Sequence, residues 1–164
     1  QDNAHTKMSG EKAKTIVSIV YKYAQEHSID PLLILSIIHN ESGFRENVTS
    51  AHGAKGLMQV MPRWHKDKLK GRNPNTAQVS VEVGTKIIGD CLDKFKNSTN
   101  KALNCYSGGG GKTYQTKIAS SHKKIRNHLV EYQFEKQLPV YSSNTFHQPR
   151  LLQEASQVLL AAIQ

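Results

Sequence analysis

The chain has 164 residues, of which 37% are hydrophobic and 21% are charged, so it can form one domain with a buried core. Its longest nearly apolar run, residues 32–38, is shorter than the roughly 20 residues of a membrane-spanning helix, so no transmembrane span is predicted. Lysines and arginines outnumber acids by 22 to 13, and the net charge of +9 favours a polyanionic partner such as nucleic acid, an acidic membrane surface or an acidic polysaccharide.

The first half of the chain predicts two consecutive helices. Apolar residues recur at the spacing of one helical face from Ala13 to His27, and Ser9 can cap the helix that they predict. The dipeptide Asp30-Pro31 predicts the start of a second helix, because aspartate caps free backbone amides and proline tolerates the first helical position. That second helix is apolar nearly all round, as expected of a helix buried on every side. Glu41 is therefore predicted to lie at the end of a buried helix.

The middle of the chain predicts a broken segment followed by a helical hairpin. Glycines and prolines divide residues 42–74 into short pieces, which is where a site would be built. Helical spacing returns between about Ser80 and Phe95, although residues 78–83 also alternate briefly like a strand. A polar turn at 97–100 separates this helix from residues 102–106, so the two segments are expected to form a hairpin.

The remaining elements are also helical, so the predicted fold class is mainly α. Four consecutive glycines, Gly108 to Gly111, predict a flexible turn instead of a nucleotide-binding loop, because no strand precedes them and no Gly-Lys-Ser/Thr follows in frame. Another long helix is expected from about Tyr114. A linker-like stretch at 137–148 then leads to an amphipathic helix over residues 151–162.

The two cysteines, Cys91 and Cys105, are too few for a disulfide scaffold and lack the spacing of a zinc site. Their near-mirror placement about the turn at 97–100 predicts that they lie close together in the hairpin. They could form a disulfide if the protein is exported, but we favour two buried free thiols. The 8 histidines also lack metal-ligand spacing, so we expect neither a metal nor a cofactor.

Glu41 is the candidate catalytic residue. Burial disfavours the charged form of a carboxyl group, raises its pKa and makes it a candidate general acid near neutral pH. On position alone, a helix-end glutamate that points into water is an equal alternative. His39 lies two residues earlier and would face another direction on the helix, so we interpret it as structural or solvated.

Three segments have a more specific pattern. Residues 41–44 are Glu-Ser-Gly-Phe, residues 50–62 are Ser-Ala-His-Gly-Ala-Lys-Gly-Leu-Met-Gln-Val-Met-Pro, and residues 102–109 are Ala-Leu-Asn-Cys-Tyr-Ser-Gly-Gly. In this order and spacing they resemble the motifs of the soluble lytic transglycosylase family. Tyr114 with the following Lys117-Ile118 is similar to the tyrosine segment that comes next in the family. The resemblance extends from about residue 13 to residue 118.

The resemblance implies an α-rich, lysozyme-like domain. We assign residues 1–118 to this catalytic core and residues 119–164 to a helical C-terminal extension that packs on or follows the same domain. The segment from 119 onward resembles no family motif.

The resemblance also implies roles for individual residues, with Glu41 as the catalytic residue and Ser42 supporting the helix end. The substrate-binding positions that it implies are Ser50, Met58, Gln59, Tyr106 and Tyr114. An amide can hydrogen-bond the N-acetyl groups of amino sugars, and a phenol can stack on an apolar sugar face. Core packing remains an alternative for the methionine and for Tyr114, and a turn or cap for Ser50. Ser107 departs from the family pattern, which has asparagine there.

The implied activity is cleavage of the β-1,4 bond between MurNAc and GlcNAc in peptidoglycan, with formation of a 1,6-anhydro end and without water. Such an enzyme is a carbon–oxygen lyase that degrades the cell wall. The alternative enzyme is a goose-lysozyme-like hydrolase, which would be expected to use a second carboxylate. The nearest later acids are Glu46, Asp67 and Glu82. A basic helical nucleic-acid-binding module would explain the charge but none of the three motifs.

The expected partner is the peptidoglycan glycan strand, with no nucleic acid, and the chain is expected to be a monomer. The site of action is expected outside the cytoplasm, in the periplasm or in a phage virion. Wall remodelling, a secretion-system assembly and phage entry all suit the domain. Because the chain begins with Gln1 instead of Met, we interpret it as a processed protein or as part of a longer one. The basic run at 66–72 is interpreted as a solvated face that could meet peptide carboxylates.

Overall fold

The computed structural model describes residues 8–135 and 156–161, which are mainly α-helical, as predicted. The six assigned helices are α1 (Gly10–Glu26), α2 (Pro31–Ser42), α3 (Lys66–Leu69), α4 (Ala77–Lys94), α5 (Thr99–Tyr106) and α6 (Gly111–Glu135). Residues 156–161 are helical as well. Within the described ranges, no helix has the length and apolar character needed to cross a bilayer.

The start signals read from the sequence are confirmed at both of the first helices. The Ser9 hydroxyl accepts a hydrogen bond from the Lys12 amide at 3.2 Å, and α1 begins directly after this cap. The Asp30 carboxylate accepts from the Leu32 amide at 2.9 Å, with Pro31 at the first position of α2. Each cap satisfies an amide that has no partner inside its helix, which fixes where the helix begins.

Helix α2 is buried nearly all round, as its sequence predicts. Ile34, Ile37 and Ile38 are fully buried, and the helix contacts both α1 and α6. The same apolar core includes residues of α4 and α5 and also Leu159. Because α2 is held from several directions, the position of Glu41 at its end is fixed by the core.

Helices α4 and α5 form the predicted hairpin. Helix α4 begins at Ala77, so the strand-like alternation at 78–83 lies inside a helix. The expectation of free thiols is wrong: the structure joins Cys91 and Cys105 in a disulfide, with their Cα atoms 6.0 Å apart. The predicted proximity of the two cysteines is confirmed, and the crosslink ties α4 to the residue before Tyr106.

The segment between α2 and α4 is irregular, as predicted, and is anchored by polar contacts to the helices. Arg72 forms two hydrogen bonds with the Glu82 carboxylate, at 2.8 and 2.9 Å. Tyr23 of α1 donates to the same carboxylate at 3.2 Å and accepts from Gln78. This network connects the irregular segment to α4 and α4 to α1.

Helix α6 continues without a break across residue 118, where the sequence suggested a domain boundary. Ile118 and Ile125 share one core cluster with Leu159, which comes from the described part of the C-terminal segment. The boundary and the role of the extension stay predictions. The predicted linker at 137–148 and residues 151–155 and 162 of the last predicted helix lie outside the described residues.

Candidate active site

Glu41 occupies the last turn of α2, where the backbone turns sharply. Gly43 caps the helix in the left-handed conformation, with φ of 58°, and its amide donates to the His39 carbonyl at 3.1 Å. The buried Ser42 hydroxyl donates to the Ile38 carbonyl at 3.1 Å, so the serine supports the helix end as the motif implied. The buried Phe44 follows, also at positive φ. The Glu-Ser-Gly-Phe motif therefore ends a core helix beneath a half-buried carboxylate.

The Glu41 carboxylate has one close partner, the hydroxyl of Tyr114. This hydroxyl donates to Glu41 Oε1 at 2.6 Å. Burial raises the pKa of Glu41 above its usual value, whereas the Tyr114 hydrogen bond and the positive charge of Lys117 act in the opposite direction. Burial is the largest of these effects, so the carboxyl group retains its proton to a higher pH than an exposed glutamate does.

Tyr106 forms the second side of the site. Its hydroxyl donates to the Met58 carbonyl at 2.7 Å. Its pKa is raised by burial and further by the charge of Glu41, and the pKa of Tyr114 is raised for the same two reasons and by Tyr106. Both phenols therefore stay protonated and act as hydrogen-bond donors around the glutamate. The structure brings together Glu41, Tyr106 and Tyr114.

The turn between α5 and α6 connects the two tyrosines. The Asn104 side chain accepts from the Gly111 amide at 2.9 Å, and the Ser107 hydroxyl accepts from the Gly110 amide at 2.8 Å. Several of the glycines adopt positive φ, a conformation that other residues rarely take. Ser107, the departure from the family pattern, thus holds the turn that separates Tyr106 from the helix containing Tyr114.

Met58 contributes its backbone to the site and its side chain to the core. The side chain is fully buried against Gly84, where an added Cβ would lie 2.5 Å from the methionine sulfur. The Met58 amide donates to the buried Ser80 hydroxyl at 3.0 Å, and its carbonyl accepts from Tyr106. The structure therefore matches the core-packing alternative for this residue, and its carbonyl positions the tyrosine.

Gln59 and Ser50 organise the loop around the site. Gln59 adopts a positive φ of 49°, and its side-chain amide donates to the carbonyls of Val48 and Gly56 at 3.1 and 2.9 Å. The Ser50 hydroxyl accepts from the Ala54 amide at 3.0 Å, which is the turn arrangement left open for it. The described contacts do not join Ser50 to Glu41.

The sequence analysis predicted no role for three residues that contribute to the site, namely Lys117, Ser80 and Gly84. Lys117 lies close enough to influence Glu41, and its position one helical turn after Tyr114 was a usable signal. Ser80 and Gly84 on α4 hold Met58, but nothing in the sequence indicated which loop residue they would meet. His39, interpreted as structural or solvated, hydrogen-bonds the Ser121 hydroxyl on α6 at 2.8 Å.

The acids considered as second carboxylates have partners elsewhere. Glu46 lies 3.4 Å from Lys12, Asp67 lies 3.5 Å from Lys68, and Glu82 is bound by Arg72. The pKa of Glu41 is set by its burial, by Tyr114 and by Lys117. Across residues 8–135 and 156–161, no cluster of histidine, cysteine or acidic side chains is arranged to hold a metal ion.

A separate groove of about 460 Å³ lies between α2, α5 and α6. Leu103 and Ile118 line it together with Lys123 and Arg126, but Glu41 and its two tyrosines do not. The chemistry and this groove are therefore in different places. We take the carboxylate and the two phenols as the candidate site, because burial raises the pKa of all three groups and they lie together.

Comparison with known proteins gives one family and several relatives. The transglycosylase SLT domain family matches residues 18–129. A transglycosylase from Enterobacteria phage PRD1 is 32% identical over 84 residues, which cover 51% of this chain and 31% of the phage protein. A membrane-bound lytic murein transglycosylase C from Haemophilus influenzae (strain PittEE) is 31% identical over 117 residues, which cover 61% of this chain and 33% of that protein. The chain thus spans about a third of the length of these two relatives.

Proposed function

The chain belongs to the transglycosylase SLT domain family, and on that premise we propose that it is a peptidoglycan lytic transglycosylase with Glu41 as its catalytic acid and base. The observation that supports this most directly is the half-buried carboxyl group with a raised pKa and a 2.6 Å hydrogen bond from Tyr114. Such a carboxyl group can deliver a proton near neutral pH, which an exposed glutamate does poorly.

In the proposed first step, Glu41 protonates the oxygen of the β-1,4 bond between MurNAc and GlcNAc. The bond between C1 of MurNAc and that oxygen breaks, GlcNAc leaves with the proton, and C1 acquires oxocarbenium character. Tyr114 donates to Oε1, so the hydrogen bond strengthens as the carboxylate forms. Lys117 contributes a positive charge that favours the same anion.

In the second step the Glu41 carboxylate removes the proton from the C6 hydroxyl of the same MurNAc. The O6 atom then bonds to C1 and closes the 1,6-anhydro ring. The proton that Glu41 gave is returned, and no water is consumed. The product is therefore lighter by one water than the product of hydrolysis.

The proposal of a lyase over a hydrolase is supported by the surroundings of Glu41. A hydrolase of the lysozyme type pairs its acid with a second carboxylate across the cleft. The three candidates for that role are bound to Lys12, Lys68 and Arg72 instead. A mechanism with a single carboxyl group fits the described residues better.

We extend the proposal to the setting of the enzyme. Peptidoglycan lies outside the cytoplasmic membrane, so the site of action is the periplasm, another extracytoplasmic space, or the wall met by an entering virion. The named relatives are a phage transglycosylase and membrane-bound murein transglycosylases. In this proposal the chain is a monomeric domain that acts alone or within a secretion or virion assembly, which suits both kinds of relative.

The test is the mass of the sugars released from purified peptidoglycan, measured for the wild type and for Glu41→Gln. We expect anhydro-MurNAc ends from the wild type and a loss of rate of about 100-fold or more in the variant, because the amide cannot transfer the proton. Glu46→Gln and Asp67→Asn are the matched controls and should retain activity. Reducing MurNAc ends, or loss of activity in either control, would favour the hydrolase.

A further inference from the structure

Trp64 is exposed in the loop that leads into α3. Its side chain is 61% exposed, and no other large hydrophobic side chain among the described residues is as open. Val60, four residues earlier, and Leu69, five residues later, are both buried in one small cluster. The loop is therefore held in place while it presents the indole ring to solvent.

The fold gains little from this ring. Burial of a large apolar side chain stabilises a protein, and an indole that stays mostly exposed forgoes most of that gain. An isolated exposed hydrophobic residue needs no special explanation. Here, however, the ring also has a charged neighbour, and it lies six residues after Met58, which contacts Tyr106.

The neighbour is Arg63, whose guanidinium lies 4.8 Å from the centre of the indole ring. A cation in this position is attracted to the ring and covers one of its faces. Because the side chain remains 61% exposed, surface is left for a ligand. The arrangement is an exposed aromatic surface with a positive charge over one face.

The loop follows Met58, which contacts Tyr106 of the candidate active site. Met58, six residues before Trp64, accepts the hydrogen bond of Tyr106, and Val60 belongs to the cluster against which Tyr106 packs. A chain of six residues spans at most about 20 Å even when extended, and the Trp64 amide shortens this path by donating back to the Met61 carbonyl. Trp64 therefore lies within about 20 Å of Met58, whose carbonyl is bound by Tyr106 of the candidate active site.

We propose that Trp64 is a stacking platform for a sugar ring of the glycan strand, beyond the two sugars whose bond is cleaved. The inference rests on the proposed function and adds a binding residue to the same site. An indole ring packs its flat apolar face on the C–H face of a pyranose. Arg63 covers one face of the ring and leaves the other for the sugar, and its charge can also attract the carboxylates of a peptide-substituted strand.

The platform makes a direct measurement possible, because Trp64 is the single tryptophan of the chain. The Glu41→Gln variant is titrated with soluble, uncrosslinked peptidoglycan strands while indole emission and acrylamide quenching are recorded. Strand binding should shift the emission to shorter wavelength and protect the indole from quenching. Unchanged emission and quenching while the strands co-elute with the protein, or no co-elution at all, would overturn the proposal.

Kinetics provide the second measurement. Trp64→Ala should raise KM for long strands about three- to tenfold, as expected for one lost ring contact, and leave kcat unchanged. Trp64→Tyr should recover most of the loss. The matched control is Phe95→Ala, because Phe95 has the same kind of cation contact, with Lys94 at 5.5 Å, at the far end of α4.

The outcomes separate the platform from the proposed function. If the wild type releases anhydro sugars but Trp64→Ala has an unchanged KM, the platform is wrong and the function stands. If the wild type releases no anhydro sugars, the proposed function fails, and the emission titration still decides whether Trp64 contacts the strand.

Discussion

The Tyr114 hydroxyl lies 2.6 Å from Oε1 of Glu41, although 73 positions of sequence separate the two residues. The contact joins the end of α2 to the first turn of α6. Burial raises the pKa of Glu41, and this hydrogen bond lowers it. The tyrosine therefore tunes the pH at which Glu41 gains or loses its proton. Removal of this one hydroxyl should therefore change the pH dependence of the enzyme as well as its rate.

We expect Tyr114→Phe to move the alkaline decline of kcat/KM to higher pH. Glu41 must be protonated to begin the reaction, so activity falls as pH rises through its pKa, and loss of the hydrogen bond raises that pKa further. The maximal rate should fall about tenfold or more, because a hydrogen bond to the developing charge is lost. Rates measured across the pH range test both effects.

The matched control is Tyr23→Phe, which removes a tyrosine that donates to a different carboxylate, that of Glu82. This variant should change stability without moving the pH profile. An unshifted profile in Tyr114→Phe, or an equal shift in the control, would contradict the role assigned to Tyr114.

Stability should depend on pH through Glu41. Because the folded-state pKa of this group is raised, the stability it contributes is present below its usual pKa and is lost as pH rises through the raised value. Glu41→Gln cannot ionise, so its advantage in Tm over the wild type should be small near about pH 4 and larger near about pH 7. Calorimetry at the two pH values measures this, and a Tm difference independent of pH would contradict it.

The helices were predictable because local patterns define them. Ser9 and Asp30-Pro31 are caps that act on neighbouring amides, and the apolar faces of α1 and α2 follow helical periodicity. The brief strand-like alternation at 78–83 lies inside α4, whose buried positions are not confined to one narrow face, and the predicted helix from about Ser80 is confirmed. The disulfide was underestimated because pairing depends on the compartment as well as on distance.

The site was less predictable than the helices because its contacts are long-range. The motifs indicated Glu41, Tyr106 and Tyr114. No local pattern predicts, however, that the hydroxyl of Tyr114 on α6 contacts the carboxylate of Glu41 on α2. The burial of the Met58 side chain against Gly84 depends on how the irregular segment lies on α4, which the sequence does not encode as a periodic signal. Such contacts follow only from the packed tertiary structure.

Gly56 should tolerate no side chain. A Cβ atom there would lie 1.9 Å from the Pro74 carbonyl oxygen, and the backbone φ of 77° already disfavours other residues. We expect Gly56→Ala to destabilise the protein by more than about 3 kcal/mol, since both the clash and the strain must be accommodated. The control is Gly71→Ala, which has a similar φ of 75° and open space, and should cost about 1 kcal/mol. Denaturant unfolding of both variants tests this, and equal losses would contradict the clash.

The Cys91–Cys105 disulfide should support both stability and activity. It closes a loop with a sequence separation of 14, and a crosslink of this span contributes about 3 kcal/mol by restricting the unfolded chain. Cys105 directly precedes Tyr106, whose hydroxyl donates to the Met58 carbonyl and whose pKa is raised by burial and by the charge of Glu41. Reduction should therefore lower the Tm and also the rate, because α5 loses its tie to α4 next to an active-site tyrosine.

The control is the Cys91→Ala/Cys105→Ala double variant, which should show both losses and no further response to reductant. Intact mass after alkylation under denaturing conditions reports the bridge directly, and two thiols labelled in the exported protein without reductant would refute it.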